Sequence, residues 1–177
     1  TVPAYGGDMG RDVSDESRRG RILEVAARLV VHYGPNKTTI TDIAREAGVS
    51  VGAVYLEFPS KDEIVLALAH SRYDRVLGAM RDGLGSGGSL ESRIRKAFDA
   101  RLAVFLEHCD EGTHGPDLVA CSLSPVKTAE ARYHDAERAL LEDTLREGAQ
   151  AAGLSLADPA RTARGILRCY ATFRPPA

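Results

Sequence analysis

TITDIAREAGVSVGAVYLEFPSKDE, residues 39–63, joins two short apolar periodicities at a glycine. Ile40, Ile43, Ala44 and Ala47 fall on one face of a 3.6-residue repeat, and Val54 and Phe58, with Leu56 as a further candidate, supply a second face after the break. Gly48 is suited to the left-handed conformation that ends a helix, Val49 to plugging the joint, and Ser50 to capping the next helix. Pro59 cannot extend that second helix, while Ser60 with Glu63 three residues later is a capping box that opens a third. Helix, glycine-containing turn and helix is the supersecondary unit that sets a helix end into the major groove of DNA.

Working outward, Ser14 with Asp15 and Glu16 is expected to open a first helix with the stripe Ile22, Ala26, Leu29, Val30 and Tyr33, ended by Gly34-Pro35. Residues 1–13, with three glycines, read as a flexible arm carrying Arg11. Arg18, Arg19 and Arg21 either follow a DNA backbone or minor groove or form a solvated helix end. Downstream, a helix from Lys61 to about Arg81 turns Ile64, Val65, Leu68, Val76, Leu77 and Met80 inward and meets the glycine-rich stretch 82–88, read as a flexible connection. Ser89 begins another helix, residues 108–117 read as a loop, and 118–123 as a short apolar helical segment cut off by Ser124-Pro125. A long helix is expected over 128–152 with Gly153 as its stop, and a last one from Asp158-Pro159 through Phe173. Nothing reads as a strand, and the expected fold is all-α.

The 177 residues, 44% of them hydrophobic, suffice for a sizeable core. No apolar run reaches the length of a membrane helix and the N-terminus lacks a signal-peptide pattern, so no membrane partner and a cytoplasmic location are expected. The three cysteines, Cys109, Cys121 and Cys169, are an odd number without an export signal and are expected to be reduced thiols. A net charge of −2 does not by itself announce nucleic acid. From Ser17 to Lys61, however, seven basic residues face four acidic ones, whereas from Leu66 to Ala177 the two kinds balance at 15 each. So small an excess suits two copies sharing the phosphate contacts.

Gly34, Thr38, Thr39, Ile43, Ala44, Ala47-Gly48-Val49-Ser50, Gly52, Tyr55, Phe58 and Lys61 stand in an order and spacing that resembles the tetracycline-repressor (TetR) family of bacterial transcription regulators. The resemblance covers about residues 18–66. It implies a three-helix DNA-binding domain over 14–60, a connecting helix over 61–82, and a helical effector-binding and dimerisation domain over 89–177. The first turn of the recognition helix is then Ser50-Val51-Gly52-Ala53. Ser50 can bond a base or phosphate, Val51 and Ala53 can touch a thymine methyl, and Gly52 allows close approach. With no Arg, Lys, Asn or Gln in that turn, readout should lean on thymine methyls and groove shape, with Thr41 and Arg45 as further candidates. Phosphate positioning falls to Thr39, Tyr55 and Lys61, the last two through positions that commonly clamp the backbone in the family. Glu57 departs from the family's histidine or tyrosine, and its carboxylate should repel phosphate unless it meets a base donor or a nearby cation.

The same resemblance implies a homodimer on a near-palindromic double-stranded DNA operator, with recognition helices about 34–36 Å apart, released by a small-molecule effector. Repression is the expected sign. Leu141, Leu145, Ile166, Leu167 and Tyr170 are the candidate dimer surface, and Phe98, Leu102, Phe105, Leu118, Cys121 and Tyr133 the candidate effector pocket, though either set can instead be ordinary core. A second reading takes His108, Cys109, His114 and Cys121 as a metal- or redox-responsive cluster, at a spacing that matches no established zinc pattern. No enzymatic activity and no cofactor are expected: phosphate-binding loop, H-E-x-x-H and nucleophile elbow are all missing. The chain starts at Thr1 and stops at Pro175-Pro176-Ala177, and a further helix beyond that end is expected from the resemblance.

Overall fold

A computed structural model describes residues 9–107 and 124–171, with side chains over 17–107 and 125–170. Among the described residues there are seven helices and no strand: α1 (Met9–Tyr33), α2 (Ile40–Ala47), α3 (Val51–Glu57), α4 (Lys61–Gly85), α5 (Leu90–Glu107), α6 (Ser124–Ala151) and α7 (Pro159–Ala171). The all-α expectation holds.

Local chemistry sets the helix ends. At the close of α2, Gly48 takes φ +66°, its N–H donates to the Arg45 carbonyl, and the Val49 N–H donates to the Ala44 carbonyl at 3.0 Å. These two bonds make a Schellman turn, in which a left-handed residue without a Cβ satisfies orphan carbonyls. Gly153 closes α6 in the same way, at φ +67° with the Leu154 N–H on the Ala149 carbonyl. The Ser50, Ser60 and Asp158 side chains accept from the N–H groups of Ala53, Glu63 and Arg161 at 3.1, 3.2 and 2.8 Å, capping α3, α4 and α7.

Three boundaries differ from those read in the sequence. Helix α1 begins at Met9, so residues 9–13 belong to it and not to a flexible arm. Helix α6 begins at Ser124, because a proline in the first turn lacks only an N–H that would have no helical partner anyway. Helix α4 runs on to Gly85, through glycines assigned to the linker. A Cβ at Gly83 would stand 2.6 Å from the Ala97 Cα, so Gly83 lets α4 and α5 pack backbone against backbone. What is left of the linker is held down: Arg93 Nε donates to the Leu84 carbonyl and Lys96 Nζ to the Gly87 carbonyl. The expected segment 118–123, the loop before it and Phe173 lie outside the described residues.

Two apolar cores meet on α4. Ile22, Val25, Ala26 and Leu29 of α1, Ile43 and Ala44 of α2, Val54 of α3, Phe58 and Ile64 form the first. The second takes Val65, Tyr73, Val76, Leu77, Met80 and Leu84 of α4 together with residues of α5, α6 and α7, among them Phe98, Leu141, Leu145 and Ala163. Ile64 and Val65, adjacent in sequence and each nearly inaccessible, therefore face different cores. With each such side chain contributing about 1.5–3 kcal/mol by burial, α4 cannot shift relative to one core without disturbing its seat in the other.

One ion pair lies inside the second core. Glu137 is 2% exposed, and its Oε1 accepts from Arg101 Nε at 2.6 Å and from the Tyr133 hydroxyl at 3.1 Å. The Tyr133 ring stacks on Tyr73 at 4.8 Å, so the group ties α4, α5 and α6 together.

Candidate nucleic-acid interface

The first turn of α3 projects from a rigid seat. Behind it, Val54 and Phe58 are buried at 0% and 1% exposure, while Val51, Gly52 and Tyr55 stand exposed and Ala53 is half-exposed. A seven-residue helix has little stability of its own, so the two anchored side chains and the Ser50 cap hold its geometry. Leu56 is the exception to the expected apolar face, at 82% exposure. It sits one position from Tyr55 and two from Val54, on the side turned away from the core.

Gly52 has open space around it: an added Cβ would meet only the Ser50 Oγ, at 3.8 Å. Its lack of a side chain is therefore not required by the chain's own packing. Ser50 Oγ accepts from the Ala53 N–H, which leaves its hydrogen available to an outside acceptor. On α2, Thr41 is exposed, and Thr39 is engaged in its own cap. The Thr39 hydroxyl donates to Asp42 Oδ2 at 2.6 Å and accepts from the Asp42 N–H at 3.1 Å. That hydrogen bond, with the Arg45 guanidinium beside it, holds the Asp42 carboxyl below its ordinary value. Arg45 pairs with Asp42 at 3.1 Å, yet its side chain stays largely in solvent. Lys61 Nζ donates to the Pro35 carbonyl at 2.9 Å, anchoring the start of α4 to the turn after α1 and leaving two ammonium hydrogens.

Glu57 finds the nearby cation. Arg18 Nε and Nη2 both donate to its Oε1, at 2.8 and 2.5 Å. Arg19 Nη1 donates to the Glu57 main-chain carbonyl at 2.7 Å, and its guanidinium lies 4.0 Å from the Phe58 ring centre. Two of the arginines expected at a DNA backbone or a solvated helix end are thus turned onto the C-terminal end of α3, where the dipole and the unpaired carbonyls favour cations. Arg21 remains exposed. The sequence signal was present in a glutamate without an obvious partner, but no spacing rule reaches across 39 residues.

Of the candidate effector residues, Phe98 and Tyr133 sit in the second core and Phe105 packs against it. Phe98 is buried with its ring 3.7 Å from that of Tyr170, Tyr133 is taken up by Tyr73 and Glu137, and Leu102 is exposed. Phe105 lines a cavity between α1, α4 and α5. Leu118 and Cys121 lie outside the described residues, as do His108, Cys109 and His114. Of the candidate dimer residues, Leu141 and Leu145 are buried within one chain and fill its core. Ile166, Leu167 and Tyr170 remain half-exposed on α7. Among the described residues no group of three or more His, Cys, Asp or Glu side chains is placed to hold a metal ion, and no helix is long and apolar enough to cross a membrane.

Residues 22–68 match the family model described as "Bacterial regulatory proteins, tetR family". The chain is 32% identical over 110 residues to the HTH-type transcriptional activator FasR of Mycolicibacterium smegmatis, an alignment covering 62% of this chain and 50% of that one. It is 35% identical over 92 residues to the HTH-type transcriptional repressor KstR2 of Mycobacterium tuberculosis, covering 52% and 46%. The chain thus spans about half the length of these curated relatives. Among solved structures, the TetR family regulator PfmR of Thermus thermophilus superposes with a TM-score of 0.61 at 27% identity, over 89% of this chain and 88% of that one. A transcriptional regulator of Cytophaga hutchinsonii superposes with a TM-score of 0.71 at 19% identity, over 85% and 77%, a likeness of fold.

Proposed function

We propose, from the premise that this chain belongs to the TetR family of bacterial regulatory proteins, that it acts as a homodimeric repressor on a near-palindromic duplex operator. Ser50, Val51, Gly52 and Ala53 meet the base edges, and Thr41 and Arg45 flank them. Tyr55 and Lys61 grip the phosphates, while Thr39 acts from within the cap of α2. The observation that carries this reading is the pairing of an exposed, side-chain-poor first turn of α3 with two buried anchors, Val54 within the helix and Phe58 at its C-cap. Such a turn presents unpaired N–H groups and the positive end of a dipole to a groove without a bulky side chain in the way.

Two-fold symmetry sets the two α3 helices one DNA turn apart, with the half-exposed Ile166, Leu167 and Tyr170 of α7 forming the dimer seam over a core that already holds Leu141 and Leu145. Because α4 is shared by both cores, a small molecule that favours a different setting of α4 alters the separation of the α3 helices and releases the operator. KstR2 is named a repressor and FasR an activator, so the sign is tested directly. A nuclease footprint on the DNA upstream of the chain's own gene, run beside a reporter fusion, is expected to show one protected near-palindrome and rising expression when the regulator gene is deleted. A footprint absent from every fragment, with binding indifferent to salt, overturns DNA binding; falling expression on deletion overturns repression.

A further inference from the structure

Among the described residues seven large apolar side chains stand exposed, and three of them, Val51, Tyr55 and Leu56, lie on the seven-residue α3. Leu56 is the most exposed of the seven, at 82%. Scattered exposed leucines are ordinary, but apolar exposure gathered on one short element marks a contact surface.

The helical register gives the direction of that surface. At about 100° per residue, Leu56 lies about 200° and Gly52 about 160° around α3 from Val54, the residue that anchors the helix in the first core. These two positions are the ones most nearly opposite the anchor, and they stand one turn apart on a single line. Gly52 has no side chain, so Leu56 is the only side chain on the line that faces away from the protein. A helical leucine leans toward the preceding turn, here toward Gly52. The space there is open, since a Cβ built on Gly52 would meet Ser50 Oγ at 3.8 Å and no Leu56 atom within 4 Å. Together the two residues leave a shallow notch, apolar on one side, with room for a methyl group.

The chemistry of leucine selects the occupant. With α3 in the major groove this line meets the base edges, and leucine offers them neither donor nor acceptor. Against guanine, adenine or cytosine it would leave a hydrogen-bonding edge desolvated and unpaired. The C5-methyl of thymine is the apolar group of the major-groove code. The one charged side chain of α3, Glu57, is paired with Arg18, so the helix sets no free carboxylate against a duplex. A second copy of the chain is a poorer occupant, because two rows of a seven-residue helix fall well short of the roughly 800 Å² per partner of a stable protein interface.

We infer that Leu56 is a specificity-determining residue, selecting thymine at one base pair of each operator half-site by packing on its C5-methyl beside Gly52. This rests on the DNA-binding reading above and adds to it the side chain that chooses the base. Leu56 belongs to neither core, so its removal leaves the fold intact.

The experiment removes one methyl at a time. Deoxyuridine pairs as thymidine does and lacks only the C5-methyl. Each thymine of the footprinted duplex is replaced in turn by deoxyuridine, symmetrically in both half-sites, and titrated by anisotropy with the parent and with Leu56→Ala. At one position the replacement is expected to weaken the parent about tenfold and Leu56→Ala less than about twofold, as loss of one buried methyl contact in each half-site predicts. On the unmodified duplex Leu56→Ala is expected to bind about tenfold more weakly than the parent, with Tm and sedimentation unchanged. Equal loss by both proteins at every thymine, or no thymine whose replacement weakens the parent, overturns the role of Leu56 and leaves the DNA reading in place. Self-association lost in Leu56→Ala without a coupled thymine assigns the surface to a second copy and overturns the inference equally. A parent that binds no duplex overturns the DNA reading, and this inference with it.

Discussion

Arg18, in the first half of α1, lays two donors of its guanidinium on one carboxylate oxygen of Glu57, the last residue of α3. The pair is partly shielded, with side chains 29% and 12% exposed. It ties α3 to α1 across 39 residues of sequence and pairs the negative charge of Glu57 with a cation. Glu57 is therefore a positioning residue for α3.

A double-mutant cycle with Arg18→Ala and Glu57→Gln measures this. Urea unfolding of the four proteins should give a coupling energy of about 1 kcal/mol, typical of a partly exposed bidentate pair, and Glu57→Gln alone should weaken DNA binding by loosening α3. Additive single substitutions would show the pair to be idle, and tighter DNA binding by Glu57→Gln would show the carboxylate to face phosphate after all.

Glu137 gives a pH-dependent prediction. Burial pushes its carboxyl up, but the His134 hydrogen bond, the Arg101 guanidinium and the Tyr133 hydroxyl outweigh it and hold the group below its ordinary value. Burial also raises the Tyr133 hydroxyl, which stays protonated as a donor. A carboxylate whose folded value is depressed contributes stability that is present above its unfolded value, about 4.3, and is lost as pH falls through the folded value. Glu137→Gln should therefore cost about 3 kcal/mol at pH 7, since it strands Arg101 in the core, and the gap to the parent should narrow as pH falls from the unfolded value through the folded one. A gap that is constant from pH 7 to pH 3 contradicts the network.

At Gly83 the structure predicts a packing defect. Gly83→Ala places a methyl 2.6 Å from the Ala97 Cα, and backbone cannot yield as a flexible side chain does. The expected cost is about 2 kcal/mol, or a fall in Tm of roughly 4–8 °C, despite alanine's better helix propensity. An unchanged or raised Tm would mean that α4 and α5 are not in backbone contact there.

That glycine also shows where sequence reading stopped. The α2–turn–α3 unit was legible because its determinants are local: Thr39, Gly48, Ser50 and Ser60 act within five residues of the backbone groups they satisfy. The apolar anchors Ile43, Val54 and Phe58 were legible for the same reason, from their period. Gly83 in a run of glycines carries the local signature of a linker, and only the approach of α5 makes it a helix residue. Glu57 and Arg18, Lys61 and Pro35, and Glu137 and Arg101 meet through tertiary packing, which no periodicity encodes. The converse holds for Phe98 and Tyr133, apolar stripe positions that serve the core.

The central claim is that the first turn of α3 lies against base edges. Gly52→Ala tests it most directly, because the added methyl meets nothing closer than 3.8 Å within the chain and alanine favours a helix over glycine by about 0.8–1.0 kcal/mol. Anisotropy titrations of the parent and the variant on the footprinted duplex, at low and moderate salt, should show parent affinity falling steeply with salt and the variant at least tenfold weaker on that duplex, with its Tm equal to or above the parent's. Equal operator affinity for parent and variant would contradict the claim.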